Sequence, residues 1–230
     1  MASVNIIIVA AGSGLRFGAP LPKQFCILGD RPVLMHTIDA LRTALPDAAL
    51  TLVINRDMEQ IWKNLCQEYS FVTPIIVYGG ATRWESVKNA IEASSGAEIF
   101  MIHDGVRPLV TAELVSRLSS SLLENKTVDG VIPAIAVTDS LRQITSGDHS
   151  VTVDRSAMRA VQTPQAFPAD KLRKAYSMPY CDKFTDDASV MEAAGFDQII
   201  LTEGSPENIK ITNPGDIAVA EIYLKQRAQK

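Results

Sequence analysis

"NIIIVAAGSGLRFGAPLPKQ", Asn5 to Gln24, runs from an unbroken apolar stretch straight into three glycines, an arginine and a lysine. The apolar part has no polar alternation, which is the signature of a strand covered on both faces, as in a parallel sheet. A glycine-rich turn leaving the carboxyl end of such a strand is where α/β folds bind ligands. Working outward, short apolar runs alternate with amphipathic stretches. "PVLMHTIDALRTA", "LTLVIN", "DMEQIWKNLCQEY", "PIIVYGG", "RWESVKNAIEAS", "EIFMIHDG" and "TAELVSRLSSSLLEN" follow in order. This βαβα alternation predicts an α/β, Rossmann-like, doubly wound and mostly parallel sheet in a single domain spanning residues 1–230.

The helices are readable in more detail. Met58, Ile61, Trp62, Leu65, Cys66 and Tyr69 recur at helical spacing and mark a face that packs on the sheet. Thr82 with Glu85 forms a capping box, Thr185 before Asp186 and Asp187 opens another helix, and Asn213 with Pro214 opens the last. One segment breaks the alternation. From about Ala134 to Gln162 the chain reads strand, polar "TSGDHS" turn, strand, with no helix between. It is expected to leave the domain as a β-arm that folds back or embraces a second subunit, because exposed strand edges must be covered.

Composition narrows the function. A net charge of −4 argues against a nucleic-acid or membrane-surface partner, since either selects a basic face. The apolar stretch at Ile6–Ala11 is shorter than a signal-peptide core and lacks a basic leader. Three widely separated cysteines, Cys26, Cys66 and Cys181, suit free, buried thiols in a reducing cytoplasm.

The opening loop is neither of the common nucleotide fingerprints. Phe17 stands where the dinucleotide-binding pattern needs its third glycine, and no Lys-Ser or Lys-Thr follows Gly18 as a Walker loop requires. What remains is an amide nest for phosphate oxygens with Arg16 and Lys23 aimed into it, which suits a polyphosphate. Gly79, Gly80, Arg83 and Ser86 follow the third strand, and Asp104 and Arg107 the fourth, so all should converge on one crevice. Asp104 is of the type that holds Mg²⁺ or a ribose hydroxyl. Asp104 and Arg107 are expected to act in the crevice as an exposed pair contributing about 0–1 kcal/mol to stability. His103, at the end of an apolar strand, reads as a core residue, and Asp186 and Asp187 as servants of their helix N-terminus.

The ordered set "AAGSGLRFG…PKQ", "GGATRWESV", "HDGVRP", "VDR", "TPQAF", "TDDAS" and "NIKIT" resembles the 2-C-methyl-D-erythritol 4-phosphate cytidylyltransferases over essentially the whole chain. The resemblance implies a homodimeric, Mg²⁺-dependent enzyme that joins CTP to a polyol phosphate with loss of pyrophosphate, a β-arm completing the neighbour's site. It implies that Arg16 and Lys23 stabilise charge on the α-phosphate and that Arg155 and Lys210 position the polyol phosphate. Ala10, Ala11, Gly12, Gly14, Gly80 and Ser86 then fall on nucleotide contacts. Asp104, Arg107, Ser140, Thr163 and Thr185 fall around the second substrate and metal. Asp139-Ser140 stands where the family often has Asp-Thr, keeping the hydroxyl and dropping a methyl. The sister ribitol 5-phosphate enzymes share "PLPKQF", but "AAG", "VDR" and "TDDAS" favour the erythritol enzymes. A dinucleotide-dependent oxidoreductase and a non-catalytic nucleotide-binding module remain the more distant alternatives.

The chemistry needs no general base. A phosphate monoester is already largely dianionic near neutral pH, with a second pKa of about 6. The difficulty is bringing two anions together and receiving charge on the α-phosphorus oxygens, which is work for cations.

Overall fold

The computed structural model describes residues 2–12, 21–227 and 229 of the chain. Strand β1 (Val4–Ala10) is followed by a small antiparallel pair, β2 (Ile27–Leu28) and β3 (Arg31–Pro32), and by helix α1 (Val33–Ala44). Then come β4 (Ala49–Ile54), α2 (Glu59–Glu68), β5 (Ile75–Tyr78), α3 (Arg83–Ala93), β6 (Ile99–Asp104), α4 (Ala112–Glu124) and β7 (Gly130–Ala136). A hairpin of β8 (Arg142–Ser146) and β9 (His149–Thr152) interrupts the order. The chain returns through β10 (Arg159–Val161), β11 (Gln165–Pro168), α5 (Ala169–Ala175), α6 (Asp187–Ala193), β12 (Ile199–Glu203) and α7 (Gly215–Arg227).

The central sheet runs β10-β7-β11-β6-β1-β4-β5, with β12 parallel to β7. β1 is parallel to both β4 and β6, while β11 runs antiparallel to β6 and β10 antiparallel to β7. The expected mostly parallel, doubly wound sheet is therefore what forms. Its reason lies in the period-2 geometry of a strand. Ile6 and Ile8 face a core shared with α1, α2 and α4, whereas Ile7 faces the opposite core with α3, α5 and α6. Leu52 and Ile54 oppose Val53, and Met101 opposes Phe100 and Ile102, in the same way. An uninterrupted apolar run is the only sequence that can feed both layers.

The α2 stripe packs as read. Trp62 is fully buried, and Met58, Ile61, Leu65, Cys66 and Tyr69 lie against the same core. Trp62 also stacks on Phe25 with ring centroids 6.0 Å apart, which pins the single helical turn Lys23–Phe25 to the domain. The Thr82–Glu85 capping box is present.

Other boundaries differ from the reading. The cap of α6 is Asp186, one residue beyond Thr185, with Ser189 returning the hydrogen bond. α7, by contrast, opens directly after Asn213-Pro214 as read, and the Asp216 carboxylate reaches back to accept from the amides of Thr212 (2.7 Å) and Asn213 (2.8 Å). The ends of the expected arm belong to the main sheet, where Ala134–Ala136 pairs with Arg159–Val161, and only the stretch between them projects. The cysteines are free as expected, but Cys26 and Cys66 are half-buried and Cys181 is exposed. Among the described residues no helix is long and apolar enough to cross a membrane.

Candidate active site

Chain order reverses at β1, with β4 and β5 on one side and β6 on the other, and the crevice lies there at the strands' carboxyl ends. It is a cleft of about 520 Å³ lined by Ala10, Ala11, Gly12, Lys23, Gly80, Arg83, Ser86, Asp104 and Lys210, among others. A second cavity of about 180 Å³ adjoins it, sharing Arg83, Asp104 and Lys210 and adding Arg107, Thr163 and Thr185. Residues from nearly the full length of the chain thus meet as expected. Gly14 and Arg16 lie outside the described residues. Ser140 and Arg155 line neither cavity; both are exposed on the arm, where Arg155 donates to the carbonyl of Thr138.

The walls are shaped by close approach. A Cβ on Gly79 would sit 2.5 Å from the Ala11 Cβ and 2.7 Å from the Ser86 Oγ, and one on Gly80 would sit 2.4 Å from the Glu85 Cβ. Only glycine lets the loop after β5 lie against the loop after β1. Ser86 fixes the loop after β5 on itself: its hydroxyl donates to the Thr82 carbonyl (2.8 Å) and accepts from the Gly80 amide (3.2 Å). Gln24, which the sequence reading did not single out, is buried and donates to the carbonyls of Ala10 (2.8 Å) and Gly12 (3.0 Å). It therefore fixes the start of the glycine-rich loop to the turn that carries Lys23. The quoted "PKQ" was the available signal.

Asp104 is the electrostatic centre. Its Oδ2 lies 2.9 Å from Lys210 Nζ and 3.5 Å from Arg107 Nε, and its Oδ1 lies 3.8 Å from Arg83 Nε. Burial pushes this carboxyl up, but the charges of Lys210, Arg83 and Arg107 outweigh it and hold it well below the usual carboxylate range. The expectation of an exposed Asp104–Arg107 pair is thereby corrected. Both residues are buried, at 7% and 9% exposure, and two further cations share the carboxylate. Sequence spacing shows the i,i+3 neighbour and not the cations that arrive from residues 83 and 210.

His103 is a core residue, as read. Its Nε2 meets the Arg107 carbonyl at 3.1 Å, and a carbonyl only accepts, so the proton sits on Nε2. Its Nδ1 then accepts from the Thr163 hydroxyl (3.1 Å), whose oxygen accepts from the Asp104 amide (3.0 Å). Burial pushes this imidazole down to about 4. Thr163 is thus committed to holding Asp104 in place. Asn208, also missed, is fully buried and ties the Lys210 segment to the same knot: its Nδ2 donates to the Thr163 carbonyl, and its own carbonyl accepts from Arg107 Nη1 (2.7 Å).

The site can hold a polyanion along a backbone-walled cleft and present cations at its inner end, beside a smaller cavity for a second, anionic molecule. The comparisons agree. Residues 4–226 match the family described as 2-C-methyl-D-erythritol 4-phosphate cytidylyltransferase. The chain is 44% identical to the enzyme of that name from Bacteroides fragilis, over 95% of this chain and 98% of the relative. It is 42% identical to that from Bacteroides thetaiotaomicron, over 96% and 99%. It superposes on the crystal structure of the 4-diphosphocytidyl-2C-methyl-D-erythritol synthase from Anaerococcus prevotii with a TM-score of 0.80 at 31% identity, covering 97% and 96% of the two chains. None of the three bears the name of a ribitol phosphate enzyme, an oxidoreductase or a non-catalytic module. With the cleft, its cations and these matches together, the chain belongs to the 2-C-methyl-D-erythritol 4-phosphate cytidylyltransferase family.

Proposed function

We infer that this chain joins CTP and 2-C-methyl-D-erythritol 4-phosphate, giving 4-diphosphocytidyl-2-C-methyl-D-erythritol and pyrophosphate. The observation that carries the reading is that Lys23 and Lys210, from opposite ends of the chain, line one cleft with Asp104. A phosphate oxygen of the polyol phosphate attacks the α-phosphorus of CTP. The bond from that phosphorus to the bridging oxygen of the β-phosphate breaks, and pyrophosphate leaves with the electron pair. No proton has to move, so positioned cations suffice. Lys23 meets the charge that develops at the α-phosphorus, together with Arg16. The smaller cavity, with Arg107, Thr163 and Thr185, suits the second substrate, and Lys210 stands between the two.

Mg²⁺ is part of this reading. Both oxygens of Asp104 already face cations, at 2.9 and 3.5 Å on one side and 3.8 Å on the other. Asp104 would hold the ion together with triphosphate oxygens, the hard donors that Mg²⁺ prefers. Bound there, the ion would neutralise phosphate charge. We further propose a cytoplasmic homodimer in which the arm brings Ser140 and Arg155 to the neighbour's cleft. Both are exposed and neither lines its own chain's cavities, which supports that placement. The test is pyrophosphate release with CTP and Mg²⁺, comparing methylerythritol phosphate with ribitol 5-phosphate. Release with the first is expected, and release with ribitol phosphate alone would overturn the substrate assignment.

A further inference from the structure

One buried ionic group has no part in the reaction just described. Asp187, the first residue of α6, is fully buried and receives both terminal nitrogens of Arg83, at 3.0 and 2.6 Å. The Tyr176 hydroxyl donates to the same carboxylate at 2.6 Å. The reading of Asp187 as a servant of its helix start misses this, because its partner lies 104 residues away. Asp186 already supplies the cap.

The geometry points to Asp187 as a positioning residue for Lys210, acting through Arg83 and Asp104. This rests on the reading that places Lys210 among the substrate cations. The bidentate grip fixes the plane of the Arg83 guanidinium and leaves its Nε facing Asp104 Oδ1 at 3.8 Å. With that oxygen occupied, the other, Oδ2, is presented to Lys210 at 2.9 Å. Lys210 needs such an anchor. Its side chain is 44% exposed, and a four-carbon stem in that setting samples many rotamers unless its ammonium is held. Arg83 lines both cavities, so the relay runs through the wall where the two substrates would meet. Neutralising Asp187 would leave the Arg83 fork without its anion. Arg83 would then turn to Asp104, the one remaining carboxylate it touches among the described residues, and compete with Lys210 for it.

A double-mutant cycle tests the relay. Asp187→Asn keeps the shape and an acceptor for Tyr176 while removing the charge. It is expected to lower kcat/KM about tenfold in the wild-type background and less than about twofold in a Lys210→Ala background, since residues in one network are non-additive. A role confined to holding the fold would give the same factor in both. A second readout needs no turnover: competitive acetylation of lysine amines by acetic anhydride, with exposed Lys225 as internal reference. Lys210 should become about threefold more reactive in Asp187→Asn, as expected when a coupled anchor is lost. Tyr176→Phe, which deletes one donor to Asp187, should move both readouts the same way by a smaller factor and serves if Asp187→Asn does not fold. Equal kinetic factors in the two backgrounds, or unchanged Lys210 reactivity, would overturn the proposal. A wild-type protein that released no pyrophosphate would overturn the substrate reading instead, and the labelling would then decide the relay alone.

Discussion

Asp104 and Ile144 sit in regions held together by different means. Around Asp104 the neighbours are tied to one another: Thr163 to His103, Asn208 to Arg107 and Arg83 to Asp187, while Gln24 ties down the start of the glycine-rich loop. Around Ile144, two short strands pair, among the described residues, only with each other, and Ile144 and Val151 are 67% and 49% exposed. A two-stranded hairpin with no apolar cover is marginal in water. The described crevice residues are held by one chain's own bonds, whereas the arm exposes apolar side chains and, in the proposed dimer, lies against the neighbour. Substitutions should therefore act through stability and chemistry at the crevice, and through association at the arm.

The largest effect should come from the buried pair. Asp187→Ala leaves Arg83 without its anion and Tyr176 without its acceptor, and should cost about 3–5 kcal/mol of unfolding free energy by urea titration. A loss below about 1 kcal/mol would mean that Arg83 finds equivalent partners in the crevice. Next in size, Lys23→Ala should lower turnover about a hundredfold or more while CTP binding changes far less, as befits a charge that matters most at the pentacoordinate phosphorus. Equal losses in isothermal titration and in kcat would reduce Lys23 to a ground-state contact.

A smaller effect should appear with pH. The folded His103 pKa, about 4, lies below the usual 6.5, so between those values the unfolded chain binds the extra proton. Its contribution is fully present above about 6.5 and is lost as pH falls toward 4. Unfolding free energy should drop by about 2 kcal/mol between pH 7 and pH 5 from this residue, and His103→Gln should flatten that part of the curve. The smallest effect belongs to the arm: Ile144→Ser should change the stability of the isolated chain by under about 0.5 kcal/mol, a surface-substitution value, yet weaken self-association in sedimentation. A large stability loss at constant oligomeric state would show that the hairpin packs on its own chain.

The same contrast explains what the sequence revealed. "IIIV" and "IFMI" could be read as doubly covered strands because the strand period is local, and the glycine-rich loop followed from its place after the first of them. Asp187 and Asn208 escaped because their meaning lies in partners about a hundred residues away. Asp104 and Arg107 were placed correctly but pictured as exposed, since adjacency in sequence shows one charge and hides two. Ser140 and Arg155 carried no local signal at all. They stood out by resemblance, and in the single chain neither lines the cleft or the smaller cavity.

Whether the arm serves a neighbour is answered most directly by mixing two inactive variants, Arg155→Ala and Lys23→Ala, under conditions that let subunits exchange. If Arg155 acts across the interface, a mixed dimer gathers both lesions into one site and leaves the other intact. Pyrophosphate release should then return to roughly a quarter of wild type in an equimolar statistical mixture. A mixture that stays inactive, although sedimentation shows mixed dimers, would mean that each Arg155 serves its own cleft, and would contradict the account in which the arm works for another chain's crevice.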